Sequence, residues 1–137
     1  MATMIRPEIS KDNKYWIDKH RHYELKHFCL QYPEWKKTYN GSPNISLSTT
    51  DEVSRNGAHS DPTFKEVIRR KRYLERIELI EQIAREADRD LHNYILKGVT
   101  EGLSYVNLKH KFGIPCSKDT YYDRYRRFFW LLDKTRD

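Results

Sequence analysis

A chain of 137 residues with 26 Lys and Arg against 20 Asp and Glu, a net charge of +6 and two Cys is long enough for one domain with a core, or a small domain with helical appendages, but not for two full domains. The charge makes an anionic partner plausible, and it is spread along the chain as +1 over residues 1–61, +2 over 62–87 and +3 over 88–137, so no basic tail supplies it. Cys29 and Cys116 stand too far apart for a disulfide framework and read as reduced cytosolic thiols, while the start MATMIRPEIS lacks the apolar core of a secretory leader and no apolar run approaches about 18 residues.

KYWIDKHRHYELKHFCLQY, residues 14–32, is predicted to be a helix: it has strong helix formers and neither Gly nor Pro. Pro33 ends it or starts a new turn, and PEWKKTY closing on Asn40-Gly41 reads as a short second helix, with these residues forming an N-terminal helical segment over 1–40. Residues 41–60 are rich in Ser, Thr, Asn and Gly and have almost nothing to bury, which predicts a flexible polar linker.

A long-helix domain follows over 61–137. Asp61-Pro62 reads as an N-cap with proline at the first helical position. It opens a helix of about 25 residues, or about 37 Å at about 1.5 Å per residue. Val67, Leu74, Ile77, Ile80 and Ala84 make its apolar stripe, which serves either as a coiled-coil seam of a homodimer or as the inner face of a helix lying on its own domain. The helix ends near Asp88, and Asp90 is placed to cap the next one, DLHNYILKGVTEG, which stops at Gly102. Ser104 then caps YVNLKHKF, Gly113 fits the left-handed position beyond its end, and Ser117 or Asp119 caps a last helix through Leu132. Tyr121, Tyr125, Phe128 and Leu132 fall on one face of that helix as a core stripe, with Lys118, Asp119, Asp123, Arg126 and Arg127 on the other.

The fold class is therefore all-α, and two short helices joined through a glycine-containing turn form a helix-turn-helix pattern whose second helix enters the major groove. YELKHFCLQYPEWKK at 23–37, ERIELIEQIAREAD in the long helix and LSYVNLKHKFGIPCSKDTYYDRYRRFFWLL at 103–132 give the chain a layout that resembles small phage and prophage transcriptional regulators of the RinA and ArpU type. The resemblance covers nearly the whole chain, in layout and short motifs. It implies a helix-turn-helix similar to region 4 of bacterial sigma factors, double-stranded DNA as partner, control of phage genes, and a place in the cytoplasm of a bacterial host cell. On this reading Lys109, Lys111, Arg126 and Arg127 are expected on phosphates, and Ser117, Lys118, Thr120 and Tyr121 or Tyr122 on base edges. Asp119 and Asp123 depart from the pattern, being carboxylates near phosphates. Asp119 suits a helix cap or a cytosine amino group, and Asp123 is spaced to pair with Arg126 or Arg127.

His20, His22, His27 and Cys29 lie within ten residues, yet none of these four pairs at i+3 or i+4, so no metal site is expected; His27 and Cys29 are assigned to a partly buried face and His20 and His22 to solvent. The run RRKR at 69–72 spreads around a helix and reads as a solvated face. Cys116 before the last helix is placed for a dipole-lowered pKa, and with no histidine close in sequence apart from His110 a catalytic thiol is not expected. No phosphate loop, nucleophile turn or catalytic acidic pair is present, so neither an enzyme nor a cofactor is expected. The alternative to a DNA-binding regulator is a phage-encoded inhibitor of a host nucleic-acid enzyme, of the anti-CRISPR type, which would turn the same basic and aromatic surface to a host protein or nucleoprotein, because Tyr, Trp and Arg dominate protein hot spots as well.

Overall fold

Asp18 fixes where the first helix starts. Its extended backbone and its carboxylate, which accepts from the His20 N–H at 3.1 Å, begin α1 (Lys19–Leu30) five residues later than the 14–32 expectation. This register decides what α1 buries: His22, Leu25, Phe28 and Cys29 share its inner face, while His20 and His27 are exposed. His27 and His22 are thus the reverse of the sequence expectation. Position 22 is three residues before Leu25 and seven before Cys29, on the buried line, and its ring meets Phe129 edge-on at 4.9 Å.

A computed structural model describes residues 12–41 and 60–136, and all regular structure among them is helical. After Gln31 the chain is helical again over residues 32–41, here α2, with Pro33 in the first turn where a missing N–H costs nothing. The expected linker lies almost wholly in 42–59, outside the described residues. Helix α3 (Ser60–Ala87) starts one residue before Asp61, and Pro62 again falls in a first turn. At its other end Asp88, not Asp90, closes the junction: its Oδ1 accepts from the N–H groups of Asp90 and Leu91, both at 2.8 Å. Helices α4 (His92–Glu101), α5 (Tyr105–Phe112) and α6 (Lys118–Thr135) follow.

The chain divides into two compact units, one running to Gln31 and resuming at Ile80, the other spanning Tyr32–Leu79. In this grouping α1 falls with α4, α5 and α6. In the first unit α1 packs on α4 and α6, and α4 and α5 pack on each other and on α6. Leu25, Ile80, Ile95, Leu108, Ile114, Phe128 and Leu132 are all fully buried there, the dominant favourable contribution to its folding. Arg21 adds a polar tie, with Nε 2.6 Å from Asp133 Oδ1, a second donor on the Arg136 carbonyl, and Glu24 2.8 Å away on its own helix. The second unit is built on Trp35 of α2, which stacks on Tyr73 of α3 at 6.4 Å beneath the Arg76 guanidinium at 5.3 Å; Arg70 lies over Tyr39 at 5.5 Å.

Ile77, Ile80 and Ala84 are buried within a single chain, so they are not a free dimer seam; the apolar side chains left outside lie nearer the start of α3.

Candidate nucleic-acid interface

Three caps define the α5–α6 corner. Ser104 Oγ accepts from the Asn107 N–H at 3.3 Å to start α5, and Gly113 at φ 65° ends it, its N–H donating to the Lys109 carbonyl at 3.0 Å. Positive φ is strained for a residue with a Cβ, so glycine suits this corner. Ile114 follows, fully buried, and pins the turn to the core. Ser117 Oγ then accepts from the Thr120 N–H at 3.2 Å and starts α6, so Ser117 rather than Asp119 is the cap.

Tyr105 locks the two helices at this corner. Its hydroxyl donates to the Cys116 carbonyl at 2.5 Å, and its N–H donates to Tyr122 Oη at 3.2 Å. Lys109 Nζ donates to the Ile114 carbonyl across the turn at 3.4 Å. The sequence reading missed Tyr105; its only signal there was an aromatic at the first position of a short helix, which is compatible with many roles.

The expected contact residues separate into three groups. Lys109, Lys111, Ser117, Lys118 and Thr120 are exposed on α5 and the first turn of α6. Tyr121 and Tyr122 are buried, and neither presents its ring to a base edge. The physical reason is packing: Tyr121 contacts the rings of Tyr105, Tyr122 and Tyr125 and runs against Gly98, while Tyr122 spends its hydroxyl on the Tyr105 N–H. Burial pushes the Tyr121 phenol well above its ordinary range, with the neighbouring tyrosines adding to the shift.

Arg126 and Arg127 are half-buried. Arg127 Nη1 donates to Tyr15 Oη at 3.3 Å, which holds the Tyr15 phenol below its usual range and ties the segment before α1 to α6. Trp130 meets the same ring edge-on at 5.5 Å. Asp123 lies 3.4 Å from Arg124, its neighbour, in place of the expected partners Arg126 and Arg127; Arg124 also reaches Asp88 Oδ2 at 3.3 Å. Asp119 is exposed in the first turn of α6, where a carboxylate interacts favourably with the positive end of the helix dipole.

Cys116 is half-buried in the turn before α6. Burial and then the Asp88 carboxylate push its thiol up, with Lys109 opposing. Among the described residues no group of three His, Cys, Asp or Glu side chains is arranged to hold a metal ion, and no helix is long and apolar enough to cross a membrane.

The sequence pattern also gave no role to Val106, Asn107, His110 and Phe112, which share the exposed surface of α5 with the lysines; Lys97 lies over the Phe112 ring at 4.6 Å. Together the exposed side chains present cations, a hydroxyl, an amide and an imidazole beside the uncovered first turn of α6. That inventory suits phosphate oxygens and base edges. Comparison with known proteins finds no matching family model, curated protein or solved structure.

Proposed function

We propose that the protein is a non-catalytic, sequence-specific binder of double-stranded DNA, in which α5 and α6 act as a helix-turn-helix and which regulates phage genes, as the resemblance in layout implies. The observation that carries this reading is the first turn of α6. Lys118 and Thr120 are exposed on it, and the corner behind it is fixed by the Ser117 cap and the Tyr105 lock. Such a turn fits the major groove, whose width of about 12 Å admits one helix. Lys109 and Lys111 on α5 would fix register on phosphates, and Lys118 and Thr120 would read bases. Relative to the sequence-based set, Tyr121 and Tyr122 become core residues, Ser117 a cap, and Arg127 a tie to Tyr15.

Val106 and Phe112, large apolar side chains exposed beside those lysines, favour a second reading, a protein-binding inhibitor of a host nucleic-acid enzyme. A gel-shift series with random duplex across salt concentrations separates the two. A DNA binder loses affinity steeply as salt rises, and Lys111→Ala shallows the slope by about one unit. Lys118→Ala and Thr120→Ala relax base preference in a selection from random duplex, each lost base contact being worth about 1–3 kcal/mol. Absence of duplex binding at low salt, or an unchanged slope and preference in all three variants, gives the lead to the inhibitor.

A further inference from the structure

Trp35, Tyr39, Tyr73, Arg70 and Arg76 define the side of α3 that α2 covers. Phe64 precedes Tyr73 by nine residues, about two and a half turns, and so lies on the opposite side of the helix. There Phe64 is 64% exposed, Val67 54% and Ile68 39%. These three form a single apolar turn, the i, i+3, i+4 pattern by which one helix anchors another. They are far from ordinary scattered surface residues, being adjacent to one another and flanked by the exposed cations Lys65, Lys71 and Arg72, while Glu66, the acidic neighbour, is engaged by Arg69 at 2.6 Å.

We propose that this turn is a docking surface for a short acidic amphipathic helix of a partner protein, whose apolar residues sit on Phe64, Val67 and Ile68 and whose carboxylates meet Lys65, Lys71 and Arg72. Charge selects this occupant. A second copy laid on the same face would set the two basic rims against each other, a like-charge juxtaposition that costs affinity. A lipid surface fits poorly as well, because Glu75 and Glu78 continue the exposed strip beyond Lys71, and a helix lying in an anionic interface would bring those carboxylates against the headgroups. The same two glutamates limit the acidic partner to the turns around residues 64–72. The surface belongs to the unit spanning Tyr32–Leu79 and does not depend on the DNA reading of α5 and α6.

The test uses the full chain and a fluorescein-labelled, capped helical peptide with leucines at i, i+3, i+4 and i+7 and glutamates elsewhere, followed by fluorescence anisotropy. A matched peptide with lysines for glutamates, vesicles of phosphatidylcholine with a quarter phosphatidylglycerol, and sedimentation of the chain alone complete the series. The expected result is binding of the acidic peptide that weakens with salt and falls by about tenfold or more in Phe64→Ser and in the double variant Lys71→Glu/Arg72→Glu. Both sites are exposed, so the helical circular dichroism of the variants should equal the parent's, and the lysine peptide should not bind. Acidic-peptide binding that is absent, or unchanged in Phe64→Ser, overturns the proposal. So does equal binding of the lysine peptide. Phe64-dependent vesicle binding without peptide binding would reassign the turn to a lipid surface, and a Phe64-dependent dimer without peptide binding would reassign it to a second copy.

Discussion

At the scale of single residues Gly98 packs tightly against Tyr121. A Cβ built on Gly98 would stand 2.0 Å from Tyr121 Oη and 3.3 Å from Cζ, and the ring cannot step aside because it is fully buried among other aromatics. Gly98→Ala should therefore destabilise by about 1–3 kcal/mol through overpacking, outweighing the helix propensity gained. The Tyr121 hydroxyl is buried with no hydrogen-bond partner among the described residues, so Tyr121→Phe should be neutral or stabilising and should recover most of the Gly98→Ala loss. Urea midpoints of the four proteins measure the coupling; strictly additive effects would show that the two residues do not meet. Cys29 gives a second expectation. Burial pushes its thiol far above its ordinary range. A thiol whose folded pKa is raised contributes stability that is complete below its unfolded pKa, about 8.5, and is lost as pH rises past it. Stability should fall between about pH 8.5 and 10.5 with a slope approaching 1.4 kcal/mol per pH unit from this group. Cys29→Ala should shallow that alkaline decline while lowering stability at neutral pH, and an identical alkaline slope in the variant would refute the assignment.

At the scale of elements, what was legible in the sequence was whatever neighbouring residues decide. Ser104 and Gly113 are read as caps, and Ser117 as one of two candidates, because cap bonds join residues close in sequence, and the stripe of α6 because a helix repeats about every 3.6 residues. The 14–32 helix fails at its start for a related reason: Asp18 sits inside a run of good helix formers, and only its local bond to His20 shows that it begins the helix instead of continuing one. With that register uncertain, His22 and His27 could not be sorted. The basic side of α6 was the least legible part of the candidate site, since Arg127 is committed to Tyr15 and Arg124 to Asp88 by contacts that composition does not reveal. A consequence can be measured. Arg127→Ala should lower stability by about 0.5–1.5 kcal/mol through the lost hydrogen bond, and should return the Tyr15 phenol toward its usual pKa, read by ultraviolet titration. Tyr15→Phe should produce the same loss, and the double variant no more than either single change. A fully stable Arg127→Ala protein whose duplex binding alone is weakened would put Arg127 back on the DNA.

At the scale of the molecule the decisive feature is that α1 and α6, far apart in the chain as Lys19–Leu30 and Lys118–Thr135, share one core. Residues 12–31 pack along the C-terminal half of α6: Tyr15 closes on Trp130, His22 on Phe129, Arg21 on Asp133 and the Arg136 carbonyl, and the Arg136 guanidinium in turn lies 4.0 Å over the Phe28 ring. No local pattern in the sequence points to these pairs, because each joins positions more than 105 residues apart. The physical consequence is cooperativity: a core whose halves come from both ends of the chain cannot lose one half and keep the other dry. Leu25 tests this, being fully buried on α1. Leu25→Ala should cost about 2–5 kcal/mol, and the loss should be felt on α6 as strongly as on α1. In native-state hydrogen exchange the amides of Phe28 and Cys29 on α1 and those of Phe128, Phe129 and Leu132 on α6 should exchange through one common opening in the parent. In Leu25→Ala all five should accelerate by the same factor, matching the change in the global unfolding free energy. Acceleration confined to α1, with the α6 amides unchanged, would mean that α6 folds without it. In that case residues 12–31 are an appendage to the candidate interface and not part of the scaffold that holds it.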